Sequence, residues 1–382
     1  MAAELVQNDP LILVLAPAEL GFAREIVAGV RAWATAHADR HWFLRCGCLP
    51  EEPAVLARLK PPANGGAVAF LAGEPWEQAA LDHYRTPVVN VSHNRPTSRL
   101  PRVLTDNVEV GRRAARHLLD RGFRHFAAAG SESFGFGAAR RHGFTEELAE
   151  AGYACLDAPH GPKDLPAWLT EAPQPLGVMA ISDTVGQQFV DLCHHAGLSV
   201  PEQVAVIGVD DDEHVCESTT PPLTSVDTRG YDVGYRAAAV LDGLMHGDAP
   251  PAEPVIVPCG EVITRRSTDT VAVADPQLNA ALRFIRRRAC EGIIVDDILD
   301  TLTISRRTLE QRFKKAFGRT LHEEIRRVQL EHARLLLSET ELRIAEVAAR
   351  CGFCDRRAFT QAFGAAFGTP PGRFRARLRQ SA

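Results

Sequence analysis

The sequence predicts an α/β region with a mainly parallel sheet over residues 11–260, followed by an all-α domain over 277–382 that carries two helix-turn-helix units. Three observations predict it. Short apolar runs alternate with amphipathic helical stretches in the first region, a helix-turn-helix pattern occurs twice in the second, and charge is partitioned sharply between them.

In the first region the strand candidates are Leu11–Ala16, Ala67–Leu71, Val88–Val91, His125–Ala129, Gly177–Ile181 and Val204–Val209. Each is a short apolar run of the kind that fills a sheet covered on both faces. Helical periodicity places helices between them at 22–37, 107–121, 138–151 and 184–196. Most end at a glycine, as at Gly122, Gly152 and Gly197, where a left-handed residue can close the last turn. Pro61-Pro62, Pro221-Pro222 and Pro250-Pro251 mark loops.

The second region repeats itself. Val295, Ile298, Leu299 and Leu302 form one apolar helix face, and Ile344, Val347, Ala348 and Cys351 form its counterpart. The turns Thr303-Ile304-Ser305 and Gly352-Phe353-Cys354 come next. Each leads to a second helix, with Leu309, Phe313 and Phe317 matching Phe359, Phe363 and Phe367, and Gly318 matching Gly368 as the stop. The opposite faces carry Arg306, Arg307, Glu310 and Gln311 in one copy, and Arg356, Arg357, Thr360 and Gln361 in the other. Arginine suits guanine, glutamine suits adenine and threonine meets a thymine methyl, so these faces have the chemistry to read base edges in double-stranded DNA. Lys314 is a candidate phosphate contact. Asp275 and Pro276 have the N-cap and first-turn character that opens a new domain.

Residues 277–382 hold 21 Lys and Arg against 12 Asp and Glu, whereas the other 276 residues hold 22 against 36. The chain's formal net charge of −5 therefore conceals a basic module suited to a phosphate backbone. No stretch reaches the ~18–20 apolar residues of a membrane span, and MAAELVQNDP lacks the pattern of a secretory signal. Nine cysteines without a disulfide or zinc-site spacing lead us to expect a reduced, cytoplasmic protein with no metal and no cofactor. Dinucleotide, phosphate-loop, serine-elbow and His-Glu-x-x-His motifs are missing, and no catalytic residue is assigned. His194 and His195 are read as surface residues.

Ligands of open α/β sheets sit beyond the carboxyl ends of the strands. Asp183 lies just past one strand, Asp210 just past another, and Arg140 near the start of a helix after Gly130–Gly137. Carboxylates accept from hydroxyls and a guanidinium donates to them, so Arg140, Asp183 and Asp210 are candidate contacts for a hydroxyl-rich neutral ligand such as a sugar. Ser182 or Asp183 could instead cap the helix at 184, while Asp211 and Asp212 read as loop and cap residues.

Cys351-Gly-Phe353, Phe359, Phe363 and Phe367-Gly-Thr-Pro-Pro371 followed by Arg373-Phe-Arg375 resemble the AraC-type DNA-binding domain over roughly 277–380. That resemblance implies that a long helix at about 321–338 spaces two groove-entering helices. The family often has serine at Cys354, and Asp355 is the candidate replacement cap. Val206-Ile-Gly-Val-Asp-Asp211, Pro221 to Val226, Thr105-Asp-Asn107 with Gly111-Arg112, and Arg140-x-x-Gly-Phe144 resemble the periplasmic-binding-protein-like sensor core of lactose/galactose repressors. The likeness implies a sensor over 1–270 with one lobe of about 10–104 plus 227–260 and another of about 105–226.

The order of the two parts, together with Val262 to Asp269 and Asp296 to Phe317, resembles the xylose-operon activator family. This resemblance implies a cytoplasmic homodimeric transcription activator that binds DNA, responds to D-xylose or a similar pentose held between the lobes, and has RNA polymerase as a candidate partner. A repressor, or a regulator of a different sugar or sugar acid, is the alternative. The loop Pro17 to Arg24 departs from the family pattern. A transporter's solute-binding protein and an α/β enzyme with a DNA-binding tail are the readings from other classes. The missing export signal and the basic module oppose the first, and a turnover assay with candidate sugars tests the second.

Overall fold

The structure is a computed structural model that describes residues 9–381 apart from 49–51, 60, 95–96, 132, 134, 160–164, 271, 274 and 341. It has two compact units, Met1–Thr270 and Val271–Ala382.

Twelve strands are described in the first unit. They are β1 (Leu11–Leu15), β2 (Phe43–Gly47), β3 (Gly66–Ala69), β4 (Val88–Asn90), β5 (Val103–Thr105), β6 (His125–Ala129), β7 (Cys155–Leu156), β8 (Leu176–Ala180), β9 (Val204–Val209), β10 (Thr224–Val226), β11 (Val255–Val257) and β12 (Val262–Ile263). One lobe is built on a parallel sheet ordered β2-β1-β3-β4, extended through a single bridge at Asn90–Arg102 to the pair β5-β11. The other is built on β12-β10-β9-β8-β6-β7, in which only β12 runs antiparallel to its neighbour.

Alternation along β1 shows why these runs form strands. Ile12 and Val14 enter one apolar cluster, Leu13 and Leu15 another, so both faces are covered. Helix Gly21–Ala36 packs against Gly230–Met245 in the first lobe, and Asn107–Asp120 against Gly135–Glu150 in the second. The second pair approaches very closely, because a Cβ on Gly111 would lie 1.9 Å from the carbonyl oxygen of Arg140. Gly111 therefore sets the height of the helix that carries Arg140.

Two details depart from the sequence reading. The helix expected at 138–151 begins at Gly135. Gly135 looks like loop composition, yet a Cβ there would lie 2.2 Å from the carbonyl oxygen of His93, so glycine is what lets the extra turn pass. The lobe expected at 105–226 also takes in the chain after 260. β12 pairs with β10, and Ser267 Oγ donates to the Val206 carbonyl.

In the second unit, helices Pro276–Arg288, Val295–Leu299 and Arg306–Phe317 enclose one core, containing Leu282, Ile298, Leu309 and Phe313. Helices Ile344–Arg350, Arg356–Phe367 and Pro371–Ser381 belong to another core, in which Val347, Phe353, Phe359 and Phe363 are buried. The long helix Leu321–Glu339 serves both, giving Leu321 and Ile325 to the first and Leu330, Ala333 and Leu337 to the second. Side-chain caps define where its neighbours start. Asp275 accepts from Gln277 N at 3.0 Å, Ser305 from Thr308 N at 3.3 Å, and Asp355 from Ala358 N at 2.8 Å. Among the described residues no helix is long and apolar enough to cross a membrane.

Candidate functional site

Between the lobes of the first unit lies a cavity of about 430 Å³, counting its open mouth. Its walls are mostly apolar, with Phe22, Phe70 and Phe136 the largest groups, and the polar groups reaching it include His93, Asn107, Arg140 and Asp210. That mixture of aromatic surface and a few fixed polar groups is the usual make-up of a small-molecule site.

Arg140 is almost fully buried, at 3% exposure, and every arm of its guanidinium is engaged. Nε donates to Asn107 Oδ1 at 2.8 Å, Nη1 donates to the Ile181 carbonyl, and Nη2 donates to Asp210 Oδ1 at 3.0 Å. The guanidinium carbon also lies 5.0 Å from the centre of the Phe136 ring. Asp210 is held at φ 113°, a backbone angle that non-glycine residues rarely adopt and that the surrounding contacts must enforce. Burial pushes its carboxyl upward, and the pull of Arg140 opposes this.

Of the three sequence-selected ligand candidates, the structure brings Arg140 and Asp210 together on the cavity and places Asp183 elsewhere. Both Asp183 oxygens are occupied, one by Ser225 Oγ at 2.6 Å and the other by Asp212 N at 2.8 Å. Burial, then the neighbouring Asp210, pushes its carboxyl up to about 8. Asp183 thus anchors the loop that presents Asp210 and is not among the cavity-lining residues. Ser182 supplies the helix cap, accepting from Val185 N.

Asp212 is not a side-chain cap as its sequence position suggested. Its Oδ2 takes Arg24 Nη2 at 2.7 Å across the cleft, while Arg24 Nη1 donates to the carbonyls of Ala18 and Glu19. One arginine therefore ties the atypical loop before it to the opposite lobe. Asp211 instead pairs with Arg265 at 2.7 Å. Beside these aspartates, burial and then Asp227 push the Glu25 carboxyl up to about 7.

Sequence reasoning missed His93, Phe22, Phe70 and Phe136 as cavity residues. The strand-end rule could have found His93, since it lies just past the carboxyl end of β4. The phenylalanines carried no signal, because an aromatic residue in an apolar pattern reads as core.

In the second unit the two second helices bury Leu309, Phe313, Phe359 and Phe363, each at 0% exposure. Their opposite faces expose Arg307 and Gln311 in one copy, and Arg357 and Gln361 in the other. Arg306 is exposed but occupied, bridging Asp296 and Glu310 at 3.0 Å each. Arg356 is exposed, half-buried Thr360 donates its hydroxyl to the Arg356 carbonyl, and Lys314 is exposed near the end of its helix. His194 and His195 are exposed.

Residues 115–268 match the family described as periplasmic binding protein-like domain, and 298–377 match a helix-turn-helix domain. The xylose operon regulatory protein of Escherichia coli (strain K12) is 33% identical over 383 aligned positions, covering 95% of this chain and 96% of that protein. The one from Haemophilus influenzae is 29% identical, covering 79% of this chain and 82% of its own. A solved structure described as the xylose-binding transcription activator xylR superposes with a TM-score of 0.78 at 30% identity, covering 96% of this chain and 97% of the other. A periplasmic-binding-protein-like sensor with parallel sheets followed by an AraC-type helical domain is the architecture of this chain, which belongs to the family of xylose operon regulatory proteins, DNA-binding regulators of transcription.

Proposed function

We propose that the chain is a transcription activator controlled by D-xylose or a similar pentose bound between the sensor lobes, with Arg140 and Asp210 as polar contacts. The observation that carries this reading is the cavity, in which one internally paired arginine and aspartate face three phenylalanines. A pentose ring presents hydroxyls at its edge and C–H groups on its faces, which suits that arrangement. The engagement of Arg140 by Asn107, Ile181 and Asp210 favours a neutral sugar over a sugar acid, whose carboxylate would compete for the same guanidinium. Asp183 contributes by anchoring the Asp210 loop. Action in the cytoplasm as a homodimer, with RNA polymerase as a partner, completes the proposal as the family resemblance implies it.

We further propose that residues 1–270 form the sensing domain and 277–382 the DNA-binding domain. The experiment is a titration of operator DNA with the full chain and with the 277–382 fragment, each with and without D-xylose, L-arabinose and D-ribose. The full chain's affinity should respond to one sugar, and the fragment should bind with none. Operator binding by the full chain that ignores every sugar would overturn the effector reading.

On the DNA side, Arg307 and Gln311 would read one major groove and Arg357 and Gln361 another about one turn away, ~34–36 Å along B-DNA. Their exposure opposite the buried aromatic faces supports this. Arg306, Glu310, Arg356 and Thr360 would flank them, and Lys314 would contact phosphate. Arg307→Ala should cost about 1–3 kcal/mol and relax preference at one base position, read by binding-site selection at fixed salt. A uniform loss across all sequences would reassign Arg307 to the backbone.

A further inference from the structure

The segment just past β4 is held from both lobes. Within the first lobe, Asn90 Oδ1 accepts from Leu71 N at 3.1 Å and from Ser92 N at 2.9 Å, and Ser92 Oγ accepts from Asn94 N at 3.2 Å. From the second lobe, the start of helix Gly135–Glu150 presses on the His93 carbonyl, leaving space only for a glycine at 135. His93 is thereby fixed without using its ring. The ring lines the cavity beside Phe136, Arg140 and Asp210, and its buried Nδ1 has no hydrogen-bond partner among the described residues.

The ring nitrogens are hydrogen-bonding groups that the first lobe brings to the cavity wall, and Nδ1 is not engaged by the described residues. Burial, then the positive charges of Arg102 and Arg140, lower the His93 pKa against the opposing Asp106, and Asp210 also faces the cavity. The ring is therefore neutral near pH 7, with one nitrogen a donor and one an acceptor.

We propose that His93 is a specificity-determining residue of the cavity, its imidazole taking one sugar hydroxyl from the first lobe while Arg140 and Asp210 hold the ligand from the second. This rests on the sugar-sensing reading above and adds which lobe-one group selects the hydroxyl pattern. A ligand bonded to both sides also ties the lobes together, so the hydroxyl that His93 reads is one on which lobe closure depends.

The test is calorimetry on the full-length protein with D-xylose and its 1-, 2-, 3- and 4-deoxy analogues, comparing the parent with His93→Gln and His93→Phe. In the parent, each analogue that lacks a hydroxyl held by His93, Arg140 or Asp210 should bind about ten- to a hundredfold more weakly than D-xylose, the range expected when a buried polar group loses its partner. His93→Phe should weaken D-xylose by a similar factor and erase the discrimination against one of these analogues only. His93→Gln, which keeps a donor and an acceptor, should restore part of it. A merely structural His93 would weaken all five sugars alike, and that result, or an unchanged analogue pattern in His93→Phe, would overturn the inference while leaving sugar sensing intact. Failure of the parent to bind D-xylose would instead remove the D-xylose reading and this inference together.

Discussion

Replacing Glu324 with alanine is expected to destabilise the helix-turn-helix unit by about 3–5 kcal/mol, the range for breaking a buried ion pair from one side. Glu324 is fully buried at 0% exposure, near the start of the long shared helix. Arg327 donates to both its oxygens, at 2.8 and 2.9 Å, and Arg319 Nε lies 2.5 Å from Oε2. Burial alone would raise the Glu324 pKa, but Arg327, Arg319 and Arg286 together hold it below the usual carboxylate range. Alanine would leave three guanidinium groups facing one another around an emptied site. Glu324→Gln keeps the shape but loses the charge, so its effect should be smaller.

The pH dependence of this site has a definite sign. A carboxylate with a depressed folded-state pKa stabilises fully above its unfolded value of ~4.3 and loses that contribution as pH falls through the folded value. The parent's unit should therefore weaken on acidification below about pH 5, and the Glu324→Ala unit should show less of that slope. Hydrogen exchange of the 321–337 amides in the full-length chain, monitored from pH 7 to pH 4, reads both effects. Protection equal to the parent's at every pH would show that the ion cluster contributes nothing to stability.

Arg140→Ala should have a comparable effect in the sensor. It leaves the half-buried Asp210 without its cation, on a backbone already held at an unfavourable φ, and it also frees Asn107 and the Ile181 carbonyl. The expected destabilisation is about 3–5 kcal/mol, and sugar affinity should fall about ten- to a hundredfold or more. Arg140→Lys retains the charge but cannot serve three acceptors at fork geometry, so it should rescue stability better than affinity.

Without Arg140, burial acts on Asp210 against the Thr228 hydrogen bond and no cation, and drives its pKa further up. A group whose folded pKa is raised contributes stability at low pH and loses it as pH rises, so the Arg140→Ala sensor should become less stable from pH 5 to pH 8 relative to the parent. Thermal unfolding across that range, with D-xylose calorimetry alongside, checks both statements. Parental affinity together with a parental pH profile would mean that the pair lies outside the binding site and outside the stability of the cleft.

The order of the two parts, the duplicated helix-turn-helix and its exposed Arg and Gln faces were legible in the amino-acid sequence, because each depends on periodicity within one helix or on charge within one segment. Arg140 and Asp210 were legible for a related reason, since a polar residue just beyond an apolar strand is a local pattern with a topological meaning. Only the tertiary structure could show that Asp183 spends both oxygens on Ser225 and Asp212, that Arg24 reaches Asp212 across 188 residues of chain, and that His93 joins Phe22, Phe70 and Phe136 around one space. The strands β10, β11 and β12 were likewise beyond local reading, being two or three residues long and stabilised by neighbours far away in the chain. The helical turn at Gly135 belongs with them, because its glycine composition argues for a loop until the His93 carbonyl is brought against it. A side chain's direction is set by its own helix or strand, whereas its partner is chosen by packing between segments that the chain brings together only on folding.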